Sequence, residues 1–172
     1  SGFLTVSEVL SPPRHVLSLT RVTPSTAEER AFPTIPLLLV EDHPLGVELV
    51  REALSDSTQP RYEIVHAGRL DQALGLLRSR AFEVVLLDLG LPDSSGLNTL
   101  AAIRPAAPKI PIVVLTAMEA EETALAALGQ GADDYLYKGE LDRLALRRSL
   151  RYSSERRQML NRMVGARRRE QL

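Results

Sequence analysis

A chain of 172 residues, 44% hydrophobic and 25% charged, is long enough to bury one substantial core and has the composition of a globular protein. Its formal charge of -1 makes neither nucleic acid nor a membrane an obligatory partner, and the absence of cysteine excludes disulfide staples, thiolate metal sites and cysteine catalysis. The near-neutral total hides a division, because residues 35–140 carry 16 acids against 8 bases, whereas residues 141–172 carry 3 acids against 10 arginines.

Residues 1–34 read as a lead-in segment. Pro12, Pro13, Pro24 and Pro33 prevent a long helix, and the alternation from Val16 to Val22 predicts a strand. The start lacks a basic region followed by a long apolar core, and no apolar run approaches the roughly 18 residues of a membrane span. No export signal and no membrane partner are therefore expected, and a cytoplasmic location is.

From Ile35 the pattern becomes regular. The unbroken apolar run to Val40 predicts a strand covered on both faces, and Val47, Val50 and Leu54 recur at helical spacing after it. A short strand at Tyr62–Val65 leads to a helix carrying Leu70, Ala73, Leu74 and Leu77. The next strand, Val84–Leu87, ends at Asp88, and a turn from Gly90 to Gly96 precedes a short helix at 97–103 that Pro105 and Pro108 should break. Ile112–Thr116 is the fourth strand. A helix follows from about Glu119 to Leu128, ended by Gly129 and Gly131, then a strand at Tyr135–Tyr137 and a long helix from Leu141. Five strands alternating with five helices predict an α/β fold with a doubly wound parallel sheet.

Open parallel sheets bind ligands at the carboxyl ends of their strands. Those ends here are Glu41 with Asp42, Asp88, Thr116 and Lys138. Taken singly, each has a plainer explanation: acids before a helix favour its dipole, threonine ends strands readily, and a turn lysine is usually solvated. Taken together, three carboxylates in one crevice repel one another unless a cation intervenes, and hard oxygen donors without a histidine or cysteine pattern favour Mg²⁺. The Gly90 backbone carbonyl could reach the same ion. A hydroxyl and an ammonium beside the cluster suit the oxygens of a transferred phosphoryl group, and Asp88 is the best candidate for a carboxylate nucleophile that accepts it.

On the residues Glu41-Asp42, LLDLGLPDSSG around Asp88, Thr116-Ala117 and Tyr135-Leu136-Tyr137-Lys138, residues 35 to about 152 resemble a response-regulator receiver domain of bacterial two-component signalling. The resemblance implies a flavodoxin-like sheet of strand order 2-1-3-4-5. It also implies Mg²⁺ held by Glu41, Asp42, Asp88 and the Gly90 carbonyl, phosphorylation of Asp88 by a histidine kinase or phosphotransferase, and readout through Thr116, Lys138 and the aromatic switch position Tyr135. Gly139 departs from the pattern, since such domains often have proline there after a cis peptide.

Beyond the domain, residues 153–172 read as a helical linker or coiled-coil extension. The last helix is expected to run about 25 residues, with Leu146, Leu150, Leu160 and Val164 near heptad positions and Ser153 and Arg157 interrupting the seam. That pattern allows a homodimer through the last helix. Direct DNA binding is not expected, because no helix-turn-helix unit follows. The chain is expected to be the front of a longer protein with a downstream output module, and to act as a switch, not an enzyme. A dehalogenase-type phosphotransferase needs a second aspartate two residues after the nucleophile, where Gly90 stands. A phosphate-independent interaction module remains the alternative.

Overall fold

The computed structural model describes residues 33–117 and 119–171. The strand expected at 16–22 lies outside the described residues. The described chain alternates strand and helix: β1 (Ile35–Val40), α1 (Pro44–Ala53), β2 (Tyr62–Ala67), α2 (Leu70–Ser79), β3 (Val84–Leu87), α3 (Leu97–Ala106), β6 (Ile112–Thr116), α4 (Glu121–Gly129), β7 (Asp134–Tyr137) and α5 (Arg143–Glu170). A short antiparallel ribbon, β4 (Gly90–Leu91) with β5 (Ser94–Ser95), occupies the turn between β3 and α3.

The sheet is parallel, in the order β2-β1-β3-β6-β7, which is 2-1-3-4-5 when only the five sheet strands are counted. Both faces are covered, and the side-chain alternation of each strand divides the core in two. Leu38, Val40, Val85, Leu87, Ile112 and Val114 pack with Ala73, Leu100, Ile103 and Ala127 from α2, α3 and α4. Leu37, Leu39, Val84, Leu86, Val113 and Leu115 pack with Val50 and Ala53 of α1 and Leu146 and Leu150 of α5. Continuous apolar runs at β1, β3 and β6 are thus what a three-layer sandwich demands of its central strands.

Two helices start and stop differently from expectation. Pro105 was expected to end α3 near residue 103, but the helix runs to Ala106. Pro105 has no amide hydrogen to give to the Ala101 carbonyl, but Ala107 N–H bonds back to the Ile103 carbonyl at 3.1 Å and closes the helix past it. The last helix spans 28 residues, passing through Gly165, with Asp142 as its cap: the Asp142 carboxylate accepts the Ala145 amide at 2.7 Å.

The seam expected on α5 has a different use. Leu146, Leu150 and Ser153 are buried against the sheet, and Arg157 follows them on the same face. The first half of the apolar stripe is therefore the contact with the domain. Met159, Leu160, Met163 and Val164 remain exposed farther along the helix. Arg147 also anchors this helix, donating to the Pro60 carbonyl at 3.0 Å and pairing with Asp56 in the loop between α1 and β2.

After β7 the chain makes a single 3₁₀ turn, Lys138–Glu140, and the Lys138–Gly139 peptide is not cis. A side chain at Gly139 would collide with the Tyr137 ring, which explains a glycine in that turn. Among the described residues, no helix is long and apolar enough to cross a membrane.

Candidate functional site

The strand order places β1 beside β3, β3 beside β6 and β6 beside β7, so the residues that leave their carboxyl ends meet above one edge of the sheet. Val40 is level with Leu87, and Thr116 with Tyr137. Glu41 and Asp88 therefore follow paired strand residues, and Lys138 follows the partner of Thr116. Two backbone bonds extend the ladder into the site: Asp88 N–H to the Val40 carbonyl at 2.9 Å and Glu41 N–H to the Ala67 carbonyl at 3.0 Å.

One oxygen each from Glu41, Asp42 and Asp88 lies within 4.8 Å of the others. Their settings differ. Glu41 is 1% exposed, Asp88 is partly buried and Asp42 is open to solvent. The ammonium of Lys138 bridges the two inner carboxylates, pairing closely with Glu41 Oε2 and lying 3.3 Å from Asp88 Oδ2. The Gly90 amide donates to Asp88 Oδ1 at 3.2 Å, which fixes the carboxylate's orientation and holds the start of the β4–β5 ribbon beside it. Thr116 is buried at the end of β6, and Tyr135 packs half-buried against the core under α4.

Burial pushes the Glu41 carboxyl above the ordinary glutamate value; the Lys138 hydrogen bond opposes this, and the negative Asp88 adds to it. One ammonium does not neutralise three carboxylates. The donor set is all oxygen, converges within a few ångströms and carries excess negative charge, so it fits a hard divalent cation of the Mg²⁺ class.

Sequence reasoning named the five strand-end groups but overlooked their supports. His66, at the end of β2, lies 2.5 Å through Nε2 from the Glu41 carbonyl oxygen, which can only accept, so Nε2 carries the hydrogen. Gly46 in α1 abuts the Glu41 carboxylate. Asp93, from the ribbon loop, accepts the amides of Leu70 and Asp71 at 2.8 and 3.1 Å and so caps α2, whose N-cap residue Arg69 makes no side-chain cap bond. A lone histidine at a strand end and a glycine in a helical first turn were the only signals for the first two. His43, by contrast, is exposed beside the acidic pair, and its Nδ1 accepts the Leu45 amide at 3.2 Å.

Comparison with known proteins matches residues 37–150 to a family model described as the response regulator receiver domain. The Probable transcriptional regulatory protein TcrX of Mycobacterium tuberculosis is 39% identical over 107 residues, 60% of this chain and 43% of that protein. The chain thus spans less than half the length of that relative. Among solved structures, a LuxR-family two-component response regulator from Aurantimonas sp. SI85-9A1 superposes with a TM-score of 0.62 at 27% identity, covering 72% of this chain and 86% of its own. A response regulator protein from Burkholderia pseudomallei, with a phosphorylated aspartic acid, calcium ion and citrate, gives a TM-score of 0.60, also at 27% identity, over 74% and 72% of the two chains.

Proposed function

The chain belongs to the response-regulator receiver family, and we propose that it is a phosphorylation-dependent switch whose phosphoacceptor is Asp88. The observation that carries this reading is the convergence of Glu41, Asp42 and Asp88 around the Lys138 ammonium at neighbouring strand ends. The phosphorylated aspartic acid and calcium ion of the Burkholderia pseudomallei regulator support it.

A histidine kinase or phosphotransferase supplies the phosphoryl group. A carboxylate oxygen of Asp88 attacks phosphorus, the bond from phosphorus to the donor's imidazole nitrogen breaks, and an acyl phosphate forms on Asp88. Glu41, Asp42, Asp88 and the Gly90 carbonyl are the oxygens that would hold Mg²⁺. The ion, when bound, neutralises charge on the phosphoryl oxygens. Lys138 binds a phosphoryl oxygen, and this requires it to loosen its pairing with Glu41. Thr116 donates its hydroxyl to another phosphoryl oxygen, and Tyr135 turns inward behind it, reshaping the face formed by α4, β7 and α5. New charge-assisted bonds thereby bias a two-state element.

In this reading residues 35–152 are the receiver, residues 1–34 a lead-in, and residues 153–172 an extension through which association or a downstream output module responds. The working location is the cytoplasm.

Intact-mass measurement after incubation with acetyl phosphate and Mg²⁺ tests the proposal. One added phosphoryl group, absent in Asp88→Asn, is the expected result. Failure of any phosphodonor to label the chain would instead favour a phosphate-independent interaction module.

A further inference from the structure

Gly46 lies in the first turn of α1, where an exposed helix would accept almost any side chain, yet it is buried. Glycine is among the poorest helix formers, so its presence there asks for a reason. A methyl group on its Cα would come within 2.6 Å of both Cδ and Oε2 of Glu41, and 3.0 Å from Cγ. Real Cβ atoms do not approach that closely, so the glutamate would have to shift.

Glu41 has little freedom to do so. Its Oε1 accepts the His43 amide at 3.1 Å, its Oε2 accepts the Lys138 ammonium, and its carbonyl oxygen holds the His66 ring at 2.5 Å. A displacement of the carboxylate away from Gly46 works against the first two of these bonds. The same carboxylate is one corner of the acidic cluster, so a shift also changes the spacing of the three ligand oxygens.

We infer that Gly46 is a positioning residue of the cluster: its missing side chain makes the room in which Glu41, one methylene longer than aspartate, sets its carboxylate beside Lys138 and Asp88, and so controls how tightly the cluster holds a divalent cation. The inference rests on the reading of Glu41, Asp42 and Asp88 as the ligands of that cation. Gly46 acts only through Glu41.

The test is a cycle of Gly46→Ala, Glu41→Asp and the double variant, each melted in the presence of chelator and then titrated calorimetrically with MgCl₂. With glutamate at 41, alanine at 46 lowers the melting temperature despite its better helix propensity, and it weakens Mg²⁺ binding about tenfold. With aspartate at 41 the shorter side chain leaves the space open. Gly46→Ala then raises the melting temperature and changes the Mg²⁺ affinity by less than about twofold.

The reversal of sign between the two backgrounds is the expected result. If Gly46→Ala alone does not fold, recovery of folding in the double variant supports the inference, and failure of both overturns it. A Gly46→Ala chain that melts higher than the parent and binds Mg²⁺ equally well overturns it too, as do equal losses in both backgrounds. A parent chain that binds no Mg²⁺ removes the ligand reading and this inference with it. A parent that binds Mg²⁺ and is matched by Gly46→Ala removes the inference alone.

Discussion

Arg157 reaches back from the second half of α5 to Asp133, donating through Nε at 3.0 Å and Nη2 at 2.7 Å to the same carboxylate oxygen. The other oxygen receives Arg104 of α3 at 3.2 Å and the Ile112 amide at 2.8 Å. Asp133 is 5% exposed, so this one carboxylate joins α3, β6 and α5 away from solvent. Burial and the neighbouring Arg157 lower the pKa of Arg104, and Asp133 opposes that shift. Removing Asp133 takes the carboxylate from two partly buried guanidinium groups, leaving Arg104 with the backbone carbonyls of Gly131, Ala107 and Ile110 and Arg157 without its ion-pair partner. Asp133→Ala should cost about 3 to 5 kcal/mol, and Arg157→Ala about 1 to 3 kcal/mol, measured as urea midpoints at constant slope. Equal costs would show that the carboxylate is not the hub.

Lys138 supplies positive charge between Glu41 and Asp88. In the proposed reaction that charge moves to the phosphoryl group, so Lys138→Ala should slow labelling of Asp88 by acetyl phosphate about a hundredfold. The metal-free variant should also be less stable, with Glu41 left buried and unpaired. Labelling at the parental rate would remove Lys138 from the chemistry.

The raised pKa of Glu41 adds its own pH dependence to the stability of the metal-free protein. Between the ordinary value of 4.5 and the raised value, the folded chain binds the proton that the unfolded chain has released. Stability from this group is therefore full below 4.5 and declines as pH rises through the raised pKa. Urea melts in chelator across that interval should show the decline in the parent and a flatter profile in Glu41→Gln. Added Mg²⁺ should reverse the decline, because it favours the ionised carboxylate.

Asp93 couples the loop after Asp88 to α2, and its carboxyl lies below the ordinary aspartate range chiefly because it accepts the Leu70 amide. In Asp93→Ala those amides lose their acceptor. Hydrogen exchange at Leu70 and Asp71 should accelerate by roughly tenfold or more, while the amides of β1 keep their protection. Unchanged exchange at both positions would show that water replaces the cap without loss.

Exposed Met159 and Met163 lie one turn apart on α5, with Leu160 and Val164 alongside them. If α5 mediates association, beryllofluoride should increase the mass measured by light scattering, and Met159→Glu with Met163→Glu should return it to that of a monomer. Leu146→Ala is not a test of the interface, because that side chain is fully buried in the domain core.

Much of the architecture was legible because buried parallel strands have few ways to be written. β1, β3 and β6 are unbroken apolar runs, and the groups at their carboxyl ends could be placed without knowing any contact. Most of the supports were not legible, since they depend on neighbours distant in sequence, and Gly46, though only five residues from Glu41, shows its role only once the Glu41 carboxylate is placed. Asp93 caps a helix that begins 23 residues earlier, and Arg157 binds a residue 24 positions away. Heptad spacing on α5 was read correctly as a stripe, but periodicity alone does not say what a stripe faces. Ser153 and Arg157 looked like defects in a dimer seam because small and charged side chains suit close approach to a sheet and an ion pair beneath it equally well. The helix through Pro105 was missed because proline was read as a stop, whereas it removes only its own amide donor and the Ala107 amide still closes the last turn onto the Ile103 and Arg104 carbonyls.

The length of α5 has a mechanical consequence. The helix begins five residues after Lys138 and extends over 28 residues, about 42 Å. A rotation of about 5° at its first turn would carry the far end about 3.7 Å if the rod stayed straight. The Asp133 ion pair and the Asn161 side chain, which donates to the Lys109 carbonyl at 3.0 Å, sit partway along that arm and resist the swing. Helix length would thus amplify a small rotation at the first turn, and these two attachments would limit how far the distal end travels.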